Sequence, residues 1–101
     1  MDELSDQLTF ITDPGHGWLE VPLTDIALLQ IENDISPCSF INGRFAYLEE
    51  DCDYGCYLEA REAQGYPPPE IQTRYVDYFN RNQARFGQAR FPAAFWDTLR
   101  R

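Results

Sequence analysis

The chain has 101 residues, with 17 acidic and eight basic side chains and a formal charge of −9. That length gives one domain able to bury one modest core. A 44 % hydrophobic and 15 % aromatic content is that of a folded protein, and the charge disfavours direct contact with nucleic acid or an anionic membrane.

Residues 1–6 read as an acidic start, and "LTFIT" (8–12) as a strand of β-branched and aromatic residues. "DPGHG" (13–17) has turn chemistry, with glycines that permit positive φ. "WLEV" (18–21) returns as a second strand, and Pro22, which lacks an N–H, is expected to end it. Thr24 is an expected N-cap, with Asp25 in the first turn and Ile26, Leu29 and Ile31 on one side of a helix over 25–32. "CSFI" (38–41) and "RFAYLE" (44–49) flank Asn42-Gly43, the strongest short signal for a hairpin.

Asp51 is next expected to cap a helix over 52–64 that ends at Gly65, with Cys52, Cys56, Ala60 and Ala63 forming its apolar stripe. "GYPPPE" (65–70) is a stiff linker. The alternation of "IQTRYVDYF" (71–79) favours a strand, although a helix is also legal there. Residues 80–90 form an arginine-bearing loop. "PAAFWDTLRR" closes the chain as a short helix, with Pro92 in its first turn and Arg100 and Arg101 at the negative end of its dipole.

The expected fold is α+β: a single domain over 1–101 with a hairpin–helix–hairpin–helix core (8–64), the linker, and a C-terminal strand, loop and helix (71–101). The two hairpins share a small antiparallel sheet of four to five strands, with two to three helices on one face.

Charge is unevenly spread. Residues 1–60 carry thirteen acids and one base, and residues 61–101 carry four acids and seven arginines. Such asymmetry bears on partners rather than on fold. The acidic N-terminus has no apolar segment resembling a secretory signal, and no apolar run approaches the roughly 20 residues of a membrane span. Three cysteines cannot all pair within the chain, which suits a reducing compartment, so a cytoplasmic location is expected.

His16, Cys38, Cys52 and Cys56 could supply an imidazole and three thiolates to zinc. The i, i+4 spacing of Cys52 and Cys56 is unlike a zinc knuckle, and buried core thiols are the simpler expectation. An EF-hand count from Asp51 fails, because Gly55 falls where a ligand is needed and Cys56 where glycine is needed. A single histidine and the lack of a phosphate-binding loop give no catalytic constellation, so neither an enzyme nor a cofactor is expected. The C-terminal arginines, interleaved with Tyr75, Tyr78, Phe79, Phe86 and Phe91, admit RNA contact; pairing with the acidic half of the fold is preferred.

"TDPGHGWLEVP" (12–22) and "FAYLEEDCD" (45–53) resemble segments of short, largely uncharacterised proteins encoded by bacteria, their phages and plasmids. In size and charge alone the chain is similar to anti-CRISPR proteins. The resemblance brings no catalytic residues. It brings no activity either; a mobile-element setting, taken with the size and charge, raises the expectation of a non-catalytic protein that acts as a nucleic-acid mimic and inhibits a basic, nucleic-acid-binding host defence protein, with a CRISPR surveillance complex as the concrete candidate. The expected contact residues are Glu49, Glu50, Asp51 and Asp53, with Glu20, Glu32 and Asp34 as additions. A small zinc-binding or enzymatic domain built on His16 and the cysteines is the alternative.

Overall fold

The computed structural model describes residues 4–87 and 91–100, so Arg90 and Arg101 of the expected loop and closing helix lie outside the described residues. The elements in chain order are β1 (Gln7–Thr12), β2 (Gly17–Pro22), α1 (Leu23–Leu29), β3 (Phe40–Asn42), β4 (Phe45–Glu49), α2 (Tyr54–Ala63), β5 (Glu70–Tyr75), β6 (Ala84–Arg85) and α3 (Ala93–Leu99). The α+β class holds. The sheet has six strands in the order β5-β1-β2-β4-β3-β6. It is mixed rather than antiparallel, because β5 lies parallel to β1, pairing Gln7 with Glu70 through Thr12 with Tyr75. The proline linker makes this possible: it carries the chain from the end of α2 back to the start of the β1 edge, a crossover no tight hairpin could make.

Strand alternation divides two cores. Leu19 and Val21 of β2, Ala46 and Leu48 of β4 and Ile41 of β3 face a main core shared with Ile26 and Leu29 of α1, Tyr57 of α2 and Trp96 of α3. Burying each of the larger aliphatic side chains contributes about 1.5–3 kcal/mol. The helices thus pack on one face, as expected. Ile11, Trp18 and Phe40 point to the other face, where Phe79 covers them. Phe79 stacks on Trp18 with ring centroids 4.2 Å apart. No helix among the described residues is long and apolar enough to cross a membrane.

Several local expectations shift. The hairpin loop is Gly43-Arg44 rather than Asn42-Gly43, since Asn42 still pairs with Phe45. Gly43 has φ +60° and Arg44 stays negative, which fits a type II′ turn. Gly65 takes φ +84° after α2, as its expected role at the helix end requires, whereas Gly15 and Gly17 have no positive φ. Pro22 remains in the β2 ladder opposite Phe45 and also stands at the N-cap of α1, so Thr24 lies inside the helix. Helix α1 stops at Leu29 because Gln30 turns left-handed at φ 58°. The strand expected over 71–79 ends at Tyr75, which frees Phe79 to fold onto Trp18. The loop expected over 80–90 contains β6, which extends the sheet beside β3.

Helix α2 begins at Tyr54, with Asp53 rather than Asp51 at the N-cap. Its buried face is Tyr57 and Arg61, one turn apart, in place of the expected Cys52, Cys56, Ala60, Ala63 stripe. Cys52 and Ala63 are exposed and Cys56 is half-buried. Two polar side chains can face the core because each is hydrogen-bonded. Tyr57 donates to buried Asp25 at 2.7 Å. Arg61 donates to the carbonyls of Ser5 and Pro67 and to the Tyr57 hydroxyl. This network ties α1, α2, the N-terminal segment and the proline linker together.

Candidate functional site

The segments 12–22 and 45–53 are neighbours in the sheet. Strand β2 pairs with β4, placing Trp18 opposite Glu49 and Leu19 opposite Leu48. At this end of the pair the 13–16 turn and the 50–53 turn stand side by side, and the Glu50 N–H donates to the Gly17 carbonyl at 3.0 Å. His16, Trp18, Cys38, Glu49, Asp51 and Cys52 line a cleft of about 380 Å³ between them.

The sequence fixes the His16 turn through Asp13. The Asp13 Oδ1 accepts from the Gly15 and His16 N–H groups at 2.9 and 3.0 Å. Its Oδ2 accepts from the Phe79 N–H at 3.0 Å and pairs with Arg81 at 2.8 Å. The Arg81 guanidinium, followed by these N–H donors, holds the Asp13 carboxyl well below the usual carboxylate range. One carboxylate thereby anchors both the turn and the segment that carries Phe79.

The acidic turn rests on buried serine. Ser39 is fully buried; its hydroxyl donates to Asp53 and accepts from the Glu49 N–H at 3.0 Å. Ser36 adds its N–H and hydroxyl to Asp53 at 3.0 and 2.8 Å. The Asp51 N–H donates to Glu49 Oε1 at 2.9 Å. These bonds direct His16, Glu49, Glu50 and Asp51 to one point: one donor atom from each lies within 4.8 Å of the others. His16 Nδ1 stands 3.4 Å from Glu49 Oε2, with the imidazole half exposed and the carboxylate 12 % exposed.

The expected contact residues separate into groups. Glu49, Glu50 and Asp51 cluster with His16, and Glu50 and Asp51 are exposed. Asp53 does not belong to the surface: it is 3 % exposed and occupied by the two serines. Glu20 is half-buried and accepts from the Tyr47 hydroxyl at 3.1 Å; burial, with Glu20 beside it, pushes that phenol up to about 12. Glu32 is engaged by the Arg100 fork at 3.0 and 2.6 Å, which lowers its pKa. Asp34 is exposed; burial, and after it the charge of Asp34, push the Cys56 thiol up.

Of the four possible zinc ligands, His16, Cys38 and Cys52 line the cleft and Cys56 does not. The Cys38 thiol, then burial, then Glu49 push the Cys52 thiol up to about 12. That favours the protonated thiol over the nucleophilic thiolate. Arg81 and Arg85 also border the cleft, but Asp13 holds the first and the Pro37 carbonyl accepts from the second.

Sequence reasoning missed Trp18, Ser39 and Asp13. The period-two pattern of β2 already put Trp18 on the face away from Leu19 and Val21. Its apposition to Glu49 needed the β2–β4 pairing, which joins strands that are not consecutive. Comparison with protein-family models, with curated proteins and with solved structures gives no match for this chain.

Proposed function

We propose that the chain is a non-catalytic binding protein of a mobile genetic element, whose acidic turn engages the basic, nucleic-acid-binding surface of a host defence protein. The observation that carries this reading is the convergence of Glu49, Glu50 and Asp51 with only His16 among them. Among the described residues no arginine forms an ion pair with these three acids, while Arg81 and Arg100 pair with Asp13 and Glu32. Neighbouring like charges repel, and a cationic group from outside relieves that repulsion. The contact surface is therefore Glu49, Glu50 and Asp51, with Asp34 and Glu20 as additions and without Asp53 and Glu32. A CRISPR surveillance complex, whose basic channel holds nucleic acid, is the concrete target, and the acids act there as phosphate mimics.

The test is direct binding of the purified chain to a nuclease-treated surveillance complex over a range of salt. Steering by exposed charge weakens as the screening length shortens to about 8 Å near physiological salt. Affinity that falls with salt, and falls further in the Glu50→Lys, Asp51→Lys double variant, supports the reading. Affinity unchanged by the double charge reversal refutes the surface.

A further inference from the structure

We infer that His16, Glu49 and Asp51, with Glu50 in reach, form a binding site for a divalent first-row transition ion of the zinc class. The inference goes beyond the partner reading, because it concerns an ion on the isolated chain.

The geometry is that of shared ligands rather than of a hydrogen bond. His16 Nδ1 and Glu49 Oε2 lie 3.4 Å apart, beyond the usual range of about 2.7–3.2 Å for N–H···O. Two ligands bound to a tetrahedral zinc at about 2.0–2.2 Å stand about 3.3–3.6 Å from each other. The carboxylates of Glu50 and Asp51 reach the same locus, all four donor atoms lying within 4.8 Å of one another. Small side-chain rotations close that remainder.

A second observation points to a ligand independently. Among the described residues, two buried side-chain polar atoms have no hydrogen-bond partner, Trp18 Nε1 and Glu49 Oε2. Both residues line this one cleft, and as register partners on β2 and β4 their side chains lie side by side on one face of the sheet. Trp18 is only 2 % exposed. Buried polar groups are ordinarily paired, so two orphans on one wall call for a group the chain itself does not supply. An ion answers Glu49 Oε2.

The supporting bonds suit the task. Glu49 Oε1 is occupied by the Asp51 N–H, which leaves Oε2 as the ligating atom. Asp13 holds the backbone on which His16 sits. Such outer contacts orient ligands in metal sites generally. One imidazole with carboxylates favours zinc or a neighbouring transition ion over calcium, which takes oxygen ligands alone. Cys38 and Cys52 border the same cleft but lie outside the four-residue cluster.

The experiment is calorimetric titration of chelator-treated, full-length protein with Zn²⁺, repeated with Co²⁺ to read its absorption spectrum. One equivalent is expected to bind. His16→Ala and Glu49→Gln should each weaken it by at least about ten-fold, the lower bound set by loss of even an outer-sphere partner. Cys56→Ser should change nothing. The Cys38→Ser, Cys52→Ser double variant should keep the stoichiometry, and the cobalt spectrum should lack a thiolate charge-transfer band. No binding at micromolar zinc, equal affinity in the His16 and Glu49 variants, or loss of binding in the cysteine double variant each overturns the assignment. Thermal melts of the variants establish that they remain folded. The titration contains no partner, so failure here leaves the partner reading standing, and failure of partner binding leaves the ion site standing.

Discussion

Asp53→Ala separates a structural carboxylate from a surface one. Asp53 is 3 % exposed and accepts from the Ser36 N–H, the Ser36 hydroxyl and the hydroxyl of Ser39, which is itself fully buried. Truncation leaves these donors without an acceptor. The Ser36 hydroxyl is half exposed and can turn to water, but the Ser39 hydroxyl and the Ser36 N–H are less free to do so. Two orphaned donors at about 1–3 kcal/mol each give an expected loss of about 2–6 kcal/mol. That is a large part of the roughly 5–15 kcal/mol stabilising a domain of this kind. For a chain this short it corresponds to a fall in Tm of at least about 8 °C. The assay is urea unfolding at pH 7 beside Glu50→Gln, an exposed comparator expected within about 0.5 kcal/mol of wild type. A loss below about 1 kcal/mol for Asp53→Ala would refute its assignment as the buried anchor of the acidic turn.

Gly17→Ala tests the close approach at the start of β2. A methyl group there would overlap the Phe10 ring at Cζ, and that ring sits edge-on to Tyr54 at 5.5 Å. Displacing the ring should cost about 1–3 kcal/mol in urea unfolding; an unchanged midpoint contradicts the contact. Acid should destabilise the fold. Arg81 holds Asp13 low and Arg100 holds Glu32 low, so their stabilisation is present above the unfolded values of about 3.9 and 4.3 and is lost as pH falls through the folded ones. Asp25, raised by burial, acts oppositely: its contribution is present below its unfolded value and fades as pH rises through the folded one. Urea midpoints should therefore fall between pH 5 and pH 2 in wild type and fall less in Glu32→Gln, whereas equal falls would show that the Arg100 pair contributes nothing.

Legibility followed locality. The hairpin strands, the first helix and the glycine stop at Gly65 could be read because turn chemistry and alternation act within a few residues. The boundaries that moved did so for non-local reasons. Asp53 displaced Asp51 at the start of α2 because Ser36 and Ser39 claim its carboxylate, and no spacing within the helix announces that. Tyr57 and Arg61 face the core because Asp25, Ser5 and Pro67 receive them; by composition the thiols and alanines were the natural apolar stripe. The parallel β1–β5 pair depends on a crossover that no short window contains. At the site, the acids 49–51 were visible as charge and His16 as the lone imidazole. Their meeting required β2 and β4 to be neighbours, and the orphaned Trp18 N–H became visible only with that pairing.

The most direct measurement of the account is competition between this chain and DNA for a CRISPR surveillance complex, comparing wild type with the Glu50→Lys, Asp51→Lys variant. The account predicts that wild-type protein displaces bound DNA, more strongly at low salt, and that the variant does so poorly. Displacement of equal strength by both proteins, or none by either, would contradict it.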